Sequence, residues 1–341
     1  MEPLVSILIP VYNAAEWLAD TINSALAQSC ARKEIIIVDD GSKDESLSVA
    51  RRFASRNVKV LSQQNQGAAA SRNAAFAQCQ GDYIQWLDAD DLLAPNKVAS
   101  QIGMARHIGD VRRLISGPWG SFRYRSEKAV FSSNPLFADR TPVEWLILKM
   151  GQNLHMQTAT WLVSRQLTEA AGPWNTQMIG DDDGEYFCRV LLASTGVRFV
   201  PDACVFYRIT GASRLSHIGF SNRKMDAHFL SMQMHIRYLR SLEDSERVNS
   251  ACVQYLQNWL IHFYPERADI VRQATELAEG MGGKLNNPQL RWKYSWIEKF
   301  FGWELAKRAQ VTVPHAKATL FNKWDKALYR IGFVLVLVVL Q

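Results

Sequence analysis

Glu34–Asp40 reads EIIIVDD, and this short stretch decides the fold. Four successive β-branched residues are too few for a helix, and they suit a strand covered on both faces, the pattern of a parallel sheet. The flanking segments agree. Upstream, Val5–Val11 (VSILIPV) is a second strand-length apolar run, and Ala14–Ser29 spaces Trp17, Leu18, Ile22, Ala25 and Leu26 along one helical face. Downstream, Ser42-Lys-Asp-Glu45 has the spacing of a capping box, which predicts a helix opening there and running through Phe53. A third strand is expected at Val58–Ser62, a third helix over 67–78 closed by Gly81, and a fourth strand at Tyr83–Leu87. This βαβαβαβ alternation predicts an α/β domain with a mostly parallel sheet and helices on both faces. Ligands of such sheets bind outside the carboxyl ends of the strands.

The polar residues obey that rule. Tyr12 and Asn13 follow the first strand, Asp39 and Asp40 end the second, Asn65, Gln66 and Gly67 follow the third, and Asp88, Asp90 and Asp91 end the fourth. Any one of them could be a turn or helix-cap residue. Four such groups on one edge point to a ligand. The knot at Asp88, Asp90 and Asp91 sharpens this, because desolvated carboxylates in proximity repel until one takes a proton or a cation sits between them. A hard divalent ion, Mg²⁺ or Mn²⁺, held by one or two carboxylates and by substrate phosphate oxygens, is the expected occupant. An EF-hand loop is excluded, since counting from Asp88 puts Leu93 where glycine is required and Ala99 where glutamate is required.

A second acidic cluster, Asp181-Asp182-Asp183, precedes an apolar helix expected over Tyr186–Leu192. Acidic residues complement a helix N-terminus, which accounts for one or two of them. Three in a row also raise one another's pKa, which would tune one as a base.

LVSILIPVYN, IIIVDDGSKDES, NQGAAASRNAAFAQCQGDYIQWLDADD and GDDDGEYFCRV, in that order and spacing, resemble the family 2 glycosyltransferases, nucleotide-diphospho-sugar transferases of the GT-A fold. The resemblance covers about residues 4–210. It implies that Pro10, Tyr12, Asp39 and Asp40 hold the base and ribose, that Arg72 lies near the nucleotide, and that Asp88 and Asp90 hold the ribose and the metal bridging the diphosphate. It also implies a general base in the acidic cluster, Asp183 by its spacing to Arg189, with Asp182 as the alternative, and inversion at the anomeric carbon. The donor base implied is uracil. The acceptor implied is a glycan or lipid-linked hydroxyl in cell-surface polysaccharide or glycolipid synthesis. Two departures stand out: Ser71 where the family often has alanine, and Thr210 where many members carry a histidine near the metal. His217, further on, is not counted as a ligand.

Composition bounds the rest. The chain has 341 residues, 48% hydrophobic and 21% charged, enough for one large or two modest cores. No secretory signal pattern opens it, and its five cysteines form no C-x-x-C pair, so a reducing, cytoplasmic setting is expected. The net charge of +6 is concentrated beyond residue 210, where 18 Lys+Arg face 11 Asp+Glu. The texture also changes there, so a catalytic domain over 1–210 and a helical region over 211–341 are expected. Within the latter, helices are expected over 222–241 and 250–264 and from Pro265 to the glycines at 280–283. Met281-Gly-Gly-Lys284 is not a phosphate loop, because Ala278 and Leu285 occupy positions that require other residues.

From Asn287 onward nine Lys+Arg face three Asp+Glu among Trp292, Trp296, Trp303 and Trp324, and the chain ends in IGFVLVLVVL. Ten apolar residues are too few to cross a bilayer as a helix, which takes about 20. Three readings of the tail stay open: a peripheral helix on an anionic membrane, on the inner face of the cell membrane; a last element packed on the core; or a homodimer contact. Against transfer chemistry stands a catalytically silent nucleotide-sugar or glycan-binding protein on the same fold, which the retained carboxylates disfavour. Nucleic acid is not expected, because no recognition module is present and the sheet edge is acidic. No G-x-G-x-x-G follows the first strand, which disfavours a dehydrogenase.

Overall fold

The structure, a computed structural model, describes residues 2–210 and 221–339. The chain runs β1 (Val5–Val11), α1 (Leu18–Leu26), β2 (Lys33–Asp39), α2 (Ser46–Arg52), β3 (Val58–Ser62), α3 (Ala68–Gln78) and β4 (Tyr83–Trp86). It continues through β5 (Leu92–Leu93), α4 (Lys97–Ile108), β6 (Arg113–Ser116), β7 (Trp119–Phe122), β8 (Val130–Phe131), α5 (Pro142–Gly151), β9 (Val163–Ser164) and α6 (Arg165–Ala171). Then follow α7 (Asp182–Ala193), β10 (Gly196–Phe199), β11 (Val205–Arg208), α8 (Asn222–Leu242), α9 (Glu246–Phe263), α10 (Ala268–Glu279), α11 (Ser295–Phe301) and α12 (Trp303–Val339).

The main sheet has the order β3-β2-β1-β4-β9. Its first four strands are parallel, with Val11 opposite Asp39 and Asp39 opposite Ser62, so the loops after β1, β2 and β3 share one edge. Only β9 runs antiparallel. A second, four-stranded sheet, β5-β11-β7-β8, is hung beside that edge by the short β5 that follows the Asp88–Asp91 turn.

Alternation along the strands splits the apolar residues between two cores. Ile7, Ile9, Ile35 and Ile37 pack with Leu18 and Ile22 of α1 on one face. Leu8, Ile36, Val38 and Trp86 pack on the other with Trp145, Trp161 and Tyr186, and that core runs on into Met232 and Ile236 of α8 and Leu256 of α9. Helices α8, α9 and α10 are therefore continuous with the core behind α7.

One local expectation is overturned. Ser42 and Glu45 form no capping box, and α2 opens only at Ser46, with no side-chain cap from Glu45. The segment is recruited instead by the β1–α1 loop. The Asn13 backbone N–H donates to Ser42 Oγ at 3.0 Å, that of Ala14 to Ser46 Oγ at 2.8 Å, and that of Ala15 to Asp44 Oδ2 at 3.1 Å. Asn13, held at φ 50°, returns its Oδ1 to the Lys43 N–H at 2.8 Å. These bonds satisfy the N–H groups of the loop that must precede α1, a use of the hydroxyls that local spacing does not reveal.

The expected tail helices are present, and the chain beyond them is helical too, α12 continuing through Pro314. Among the described residues no helix is long and apolar enough to cross a membrane.

Candidate functional site

The site begins at the carboxyl end of β2. Asp39 is 1% exposed, and its Oδ2 accepts from the Ser42 N–H at 3.2 Å. Its Oδ1 is buried without a hydrogen-bond partner among the described residues. A buried carboxylate oxygen left without a donor is costly. Asp40 is different. Its Oδ1 accepts from Gln63 Nε2 at 2.8 Å and the Gln66 N–H at 2.9 Å, and its Oδ2 from the Gly67 N–H at 2.7 Å. Asp40 thus spends both oxygens holding the β3–α3 loop. Gly41, which follows Asp40, has φ 71°, and a Cβ there would meet the Asn65 nitrogen at 3.0 Å, so the close approach of the β2–α2 and β3–α3 loops depends on glycine. Pro10, next to last in β1, lies beside Val38, and Tyr12, 47% exposed, follows the strand onto the same edge.

At the end of β4 the three carboxylates divide their tasks. Asp91 is fully buried; its Oδ1 accepts from the Arg208 N–H at 2.8 Å and its Oδ2 from Gln157. Burial first, and then Asp90 and Asp88, hold its carboxyl well above the usual range. It is a structural member that fastens the turn to β11, while the Arg208 Nε–H donates to the Asp90 carbonyl at 2.7 Å. Asp88 and Asp90 stay partly exposed at the edge.

Arg72 joins this turn to the second acidic cluster. It projects from α3, is 6% exposed, and donates to Asp88 Oδ1 at 2.8 Å and Asp182 Oδ2 at 2.6 Å. Burial works against its charge, but Asp182 and Asp88 outweigh burial and hold the cation more firmly than usual. Its guanidinium lies 4.3 Å from the centroid of the Trp174 ring, which stacks on Tyr186 of α7 at 4.0 Å. The loop carrying Trp174 is tied to α7 by Arg189, which donates to Glu185 at 2.7 Å and to the Pro173 carbonyl at 2.8 Å.

The acidic cluster itself is graded. Asp181 accepts from Ser231 Oγ of α8 at 2.6 Å. Burial would raise its carboxyl, but neighbouring His235, His228 and Lys149 together with the Ser231 bond bring it below the usual range. Asp182 is engaged by Arg72. Asp183, which accepts from Thr158 Oγ1 at 3.4 Å, is pushed up to about 7, by burial first and then by the charges of Asp182 and Asp181. A carboxyl that changes charge near neutrality can accept a proton and release it, as a general base must.

Asp88, Arg72 and Asp182 are in direct contact, Asp183 adjoins Asp182 on α7, and Pro10, Tyr12, Asp39 and Asp40 share the sheet edge. His217 lies outside the described residues. Among the described residues no group of three His, Cys, Asp or Glu side chains is arranged to hold a metal. Two hard carboxylates at an edge still fit a Mg²⁺ or Mn²⁺ ion that completes its shell with phosphate oxygens and water.

Sequence reasoning missed Trp174 under Arg72, the Asp91–Gln157–Arg208 fastening and the Ser231 support of Asp181. A tryptophan inside the Gly-Pro loop at 172–174 was the one available signal; the others join residues from distant elements.

A parallel sheet whose carboxyl edge gathers these groups is the architecture of the GT-A fold. The family described as Glycosyl transferase family 2 matches residues 6–157. An uncharacterized glycosyltransferase of Rickettsia felis is 33% identical over 150 residues, 41% of this chain and 25% of that protein. A chondroitin synthase of Escherichia coli is 40% identical over 98 residues, 28% of this chain and 14% of that protein. The chain matches a third or less of the length of the first curated relatives. The crystal structure of S. aureus TarS 1-349 in complex with UDP superposes with TM-score 0.59, covering 96% of this chain and 92% of that one at 15% identity, a likeness of fold. Residues 6–157 are thus similar in sequence to the family 2 glycosyltransferases, and the fold of the chain is that of a GT-A enzyme.

Proposed function

We propose that this protein is an inverting, metal-dependent glycosyltransferase that moves a sugar from a nucleotide diphosphate, a UDP-sugar, to an acceptor hydroxyl in cell-surface polysaccharide or glycolipid synthesis. The observation that carries the reading is the Arg72 bridge, which brings the Asp88 turn and the Asp182–Asp183 pair into one site. The unpartnered Asp39 Oδ1 supports a nucleotide at the edge, as an acceptor for a base or ribose N–H or O–H. Pro10 and Tyr12 would flank that base, and Asp40 would act by holding the loop beside it. TarS has been crystallised with UDP and with UDP-GlcNAc, which favours the same donor class here.

In this reading residues 1–210 carry the chemistry, and Asp88 and Asp90 would hold the divalent ion. When bound, that ion neutralises charge developing on the departing diphosphate. Asp183 takes the proton of the acceptor hydroxyl. The freed lone pair forms the new bond to the anomeric carbon on the face opposite the diphosphate, and the old carbon–oxygen bond breaks with its electrons onto the phosphate oxygen. A single displacement of this kind inverts the anomeric centre, through an oxocarbenium-like transition state. The site of action is the cytoplasm, at the inner face of the membrane.

A hydrolysis and transfer screen over UDP-, GDP- and dTDP-sugars with Mn²⁺ and Mg²⁺ tests the reading. Metal-dependent turnover of one donor class is expected. Binding of a nucleotide sugar with no turnover on any acceptor would instead favour a silent binding protein.

A further inference from the structure

Helix α12 is amphipathic the wrong way round for a helix packed on its own protein. The face it turns to the catalytic domain is mainly polar, with the Tyr329 ring 6.1 Å from that of Tyr124. There Asp325 accepts from the Tyr124 backbone N–H at 3.0 Å and from Arg125 at 2.6 Å, and Lys326 pairs with Glu16 at 2.5 Å. The opposite face carries Val313, Ala316, Leu320, Trp324, Ala327 and Ile331, at helical spacings of three and four and all exposed. Leu320 and Trp324 are 68% and 66% exposed. Just before the helix, Trp292 and Phe300 are 87% and 71% exposed. A continuous apolar stripe of this kind marks a surface that something else covers.

The charges on the helix choose the occupant. Lys317 and Lys323 border the stripe on its two sides, and neither is in an ion pair among the described residues. The two acids of α12 through Ile331, Glu304 and Asp325, are already paired with Arg308 and Arg125. The face therefore has cations to place and no free carboxylate to offer a second copy of itself, whose Lys317 would have to be buried unpaired. An anionic lipid surface complements both features. It takes the apolar stripe into the acyl boundary, lets the lysines reach up to headgroups, and suits tryptophan at the interface.

We propose that the outer face of α12, with the exposed aromatics of the preceding turns, is a docking surface for an anionic bilayer. The same geometry sets the orientation of the catalytic edge. Arg208, which holds Asp90 and Asp91, lies 4.5 Å from the Trp17 ring, and Trp17 lies 4.8 Å from Tyr124, the residue that Asp325 clips. This short chain of side chains links the Asp88–Asp91 turn to the inner face of α12.

The test uses the full chain with sedimenting vesicles of phosphatidylglycerol and phosphatidylcholine, and of phosphatidylcholine alone. The expected result is binding to the anionic vesicles at low salt, weaker binding to neutral ones, and a salt-resistant remainder. Leu320→Glu combined with Trp324→Glu should lower the bound fraction on the order of tenfold or more, since both side chains would leave the acyl boundary. Lys317→Glu with Lys323→Glu should erase the preference for anionic lipid, and it decides the matter if the first variant melts early. UDP affinity should be unchanged in both, so a wild type that fails to bind UDP speaks against the catalytic reading and leaves this one standing. The proposal is overturned if the wild type ignores anionic vesicles, or if both variants sediment as it does. It is equally overturned if a vesicle-free dimer becomes monomeric in the Leu320→Glu, Trp324→Glu chain.

Discussion

At the carboxyl edge of the main sheet, charge is crowded and the protein answers it from within, through Arg72, Arg208 and the N–H groups of loops. Along the outer face of α12 apolar side chains stand in water, and the protein supplies no cover. The two regions break the same rule, that buried groups find partners and apolar groups find burial, in opposite ways. At the edge, what remains after internal pairing is small and specific: Asp39 Oδ1 without a donor among the described residues, Asp88 and Asp90 partly exposed, and Asp183 near neutrality. On α12 the remainder is broad and unspecific, which suits a surface and not a small ligand.

The largest effect is expected at Asp183. In Asp183→Asn, UDP and metal binding persist while transfer falls by roughly 10²–10⁴-fold, the usual contribution of a general base. Steady-state transfer beside calorimetric UDP titration reads both. Near-normal turnover would move the role to Asp182 or out of this cluster.

The same residue sets the next largest effect, through pH. As a base it works only when charged, so transfer should rise as pH climbs through about 7 and then level off. Stability has the opposite sign. A carboxyl whose folded pKa lies above its unfolded value of about 4 binds more protons when folded, so stability is lost as pH rises from there through about 7. Asp183→Asn should abolish the activity limb and gain in melting temperature on the wild type between pH 5 and pH 8. Parallel melts at both values would contradict the raised pKa.

Arg72→Ala should leave Asp88 and Asp182 facing each other without their cation. Because Asp88 is 31% exposed, the loss is expected at about 2–3 kcal/mol, below that of a fully buried pair. Urea unfolding measures it, and Asp88→Asn in the same background should restore part of it.

These residues also show how far the sequence could be read. The parallel sheet was legible because EIIIVDD and VSILIPV are buried on both faces and carry their own signature. The carboxylates at the strand ends were legible because the carboxyl edge is a rule of topology. Ser42 was misread because its hydroxyl serves the Asn13 N–H, a partner 29 residues away. Asp181 and Ser231 meet only because α8 packs behind α7, which no local pattern encodes. The stripe on α12 was visible as composition, but which side faced the protein depended on Asp325 and Lys326 finding Arg125 and Glu16, 200 and 310 residues away.

A smaller effect sharpens the other half of the comparison. Asp325→Ala removes the clip that holds α12, at a cost of about 1–2 kcal/mol for its charge-assisted bonds. Limited proteolysis should then cut before α12 more readily, with UDP affinity unchanged. A loss of UDP affinity would mean that helix and site are one unit.

The central claim is that the edge built by Asp88 and Asp90 receives a nucleotide diphosphate together with a divalent cation. Calorimetric titration of UDP with and without Mn²⁺, on the wild type and on Asp90→Ala, tests it most directly. The wild type should bind UDP more tightly with Mn²⁺, and Asp90→Ala should lose that gain. An equal Mn²⁺-dependent gain in the variant, or no UDP binding by the wild type with Mn²⁺ present, would contradict it.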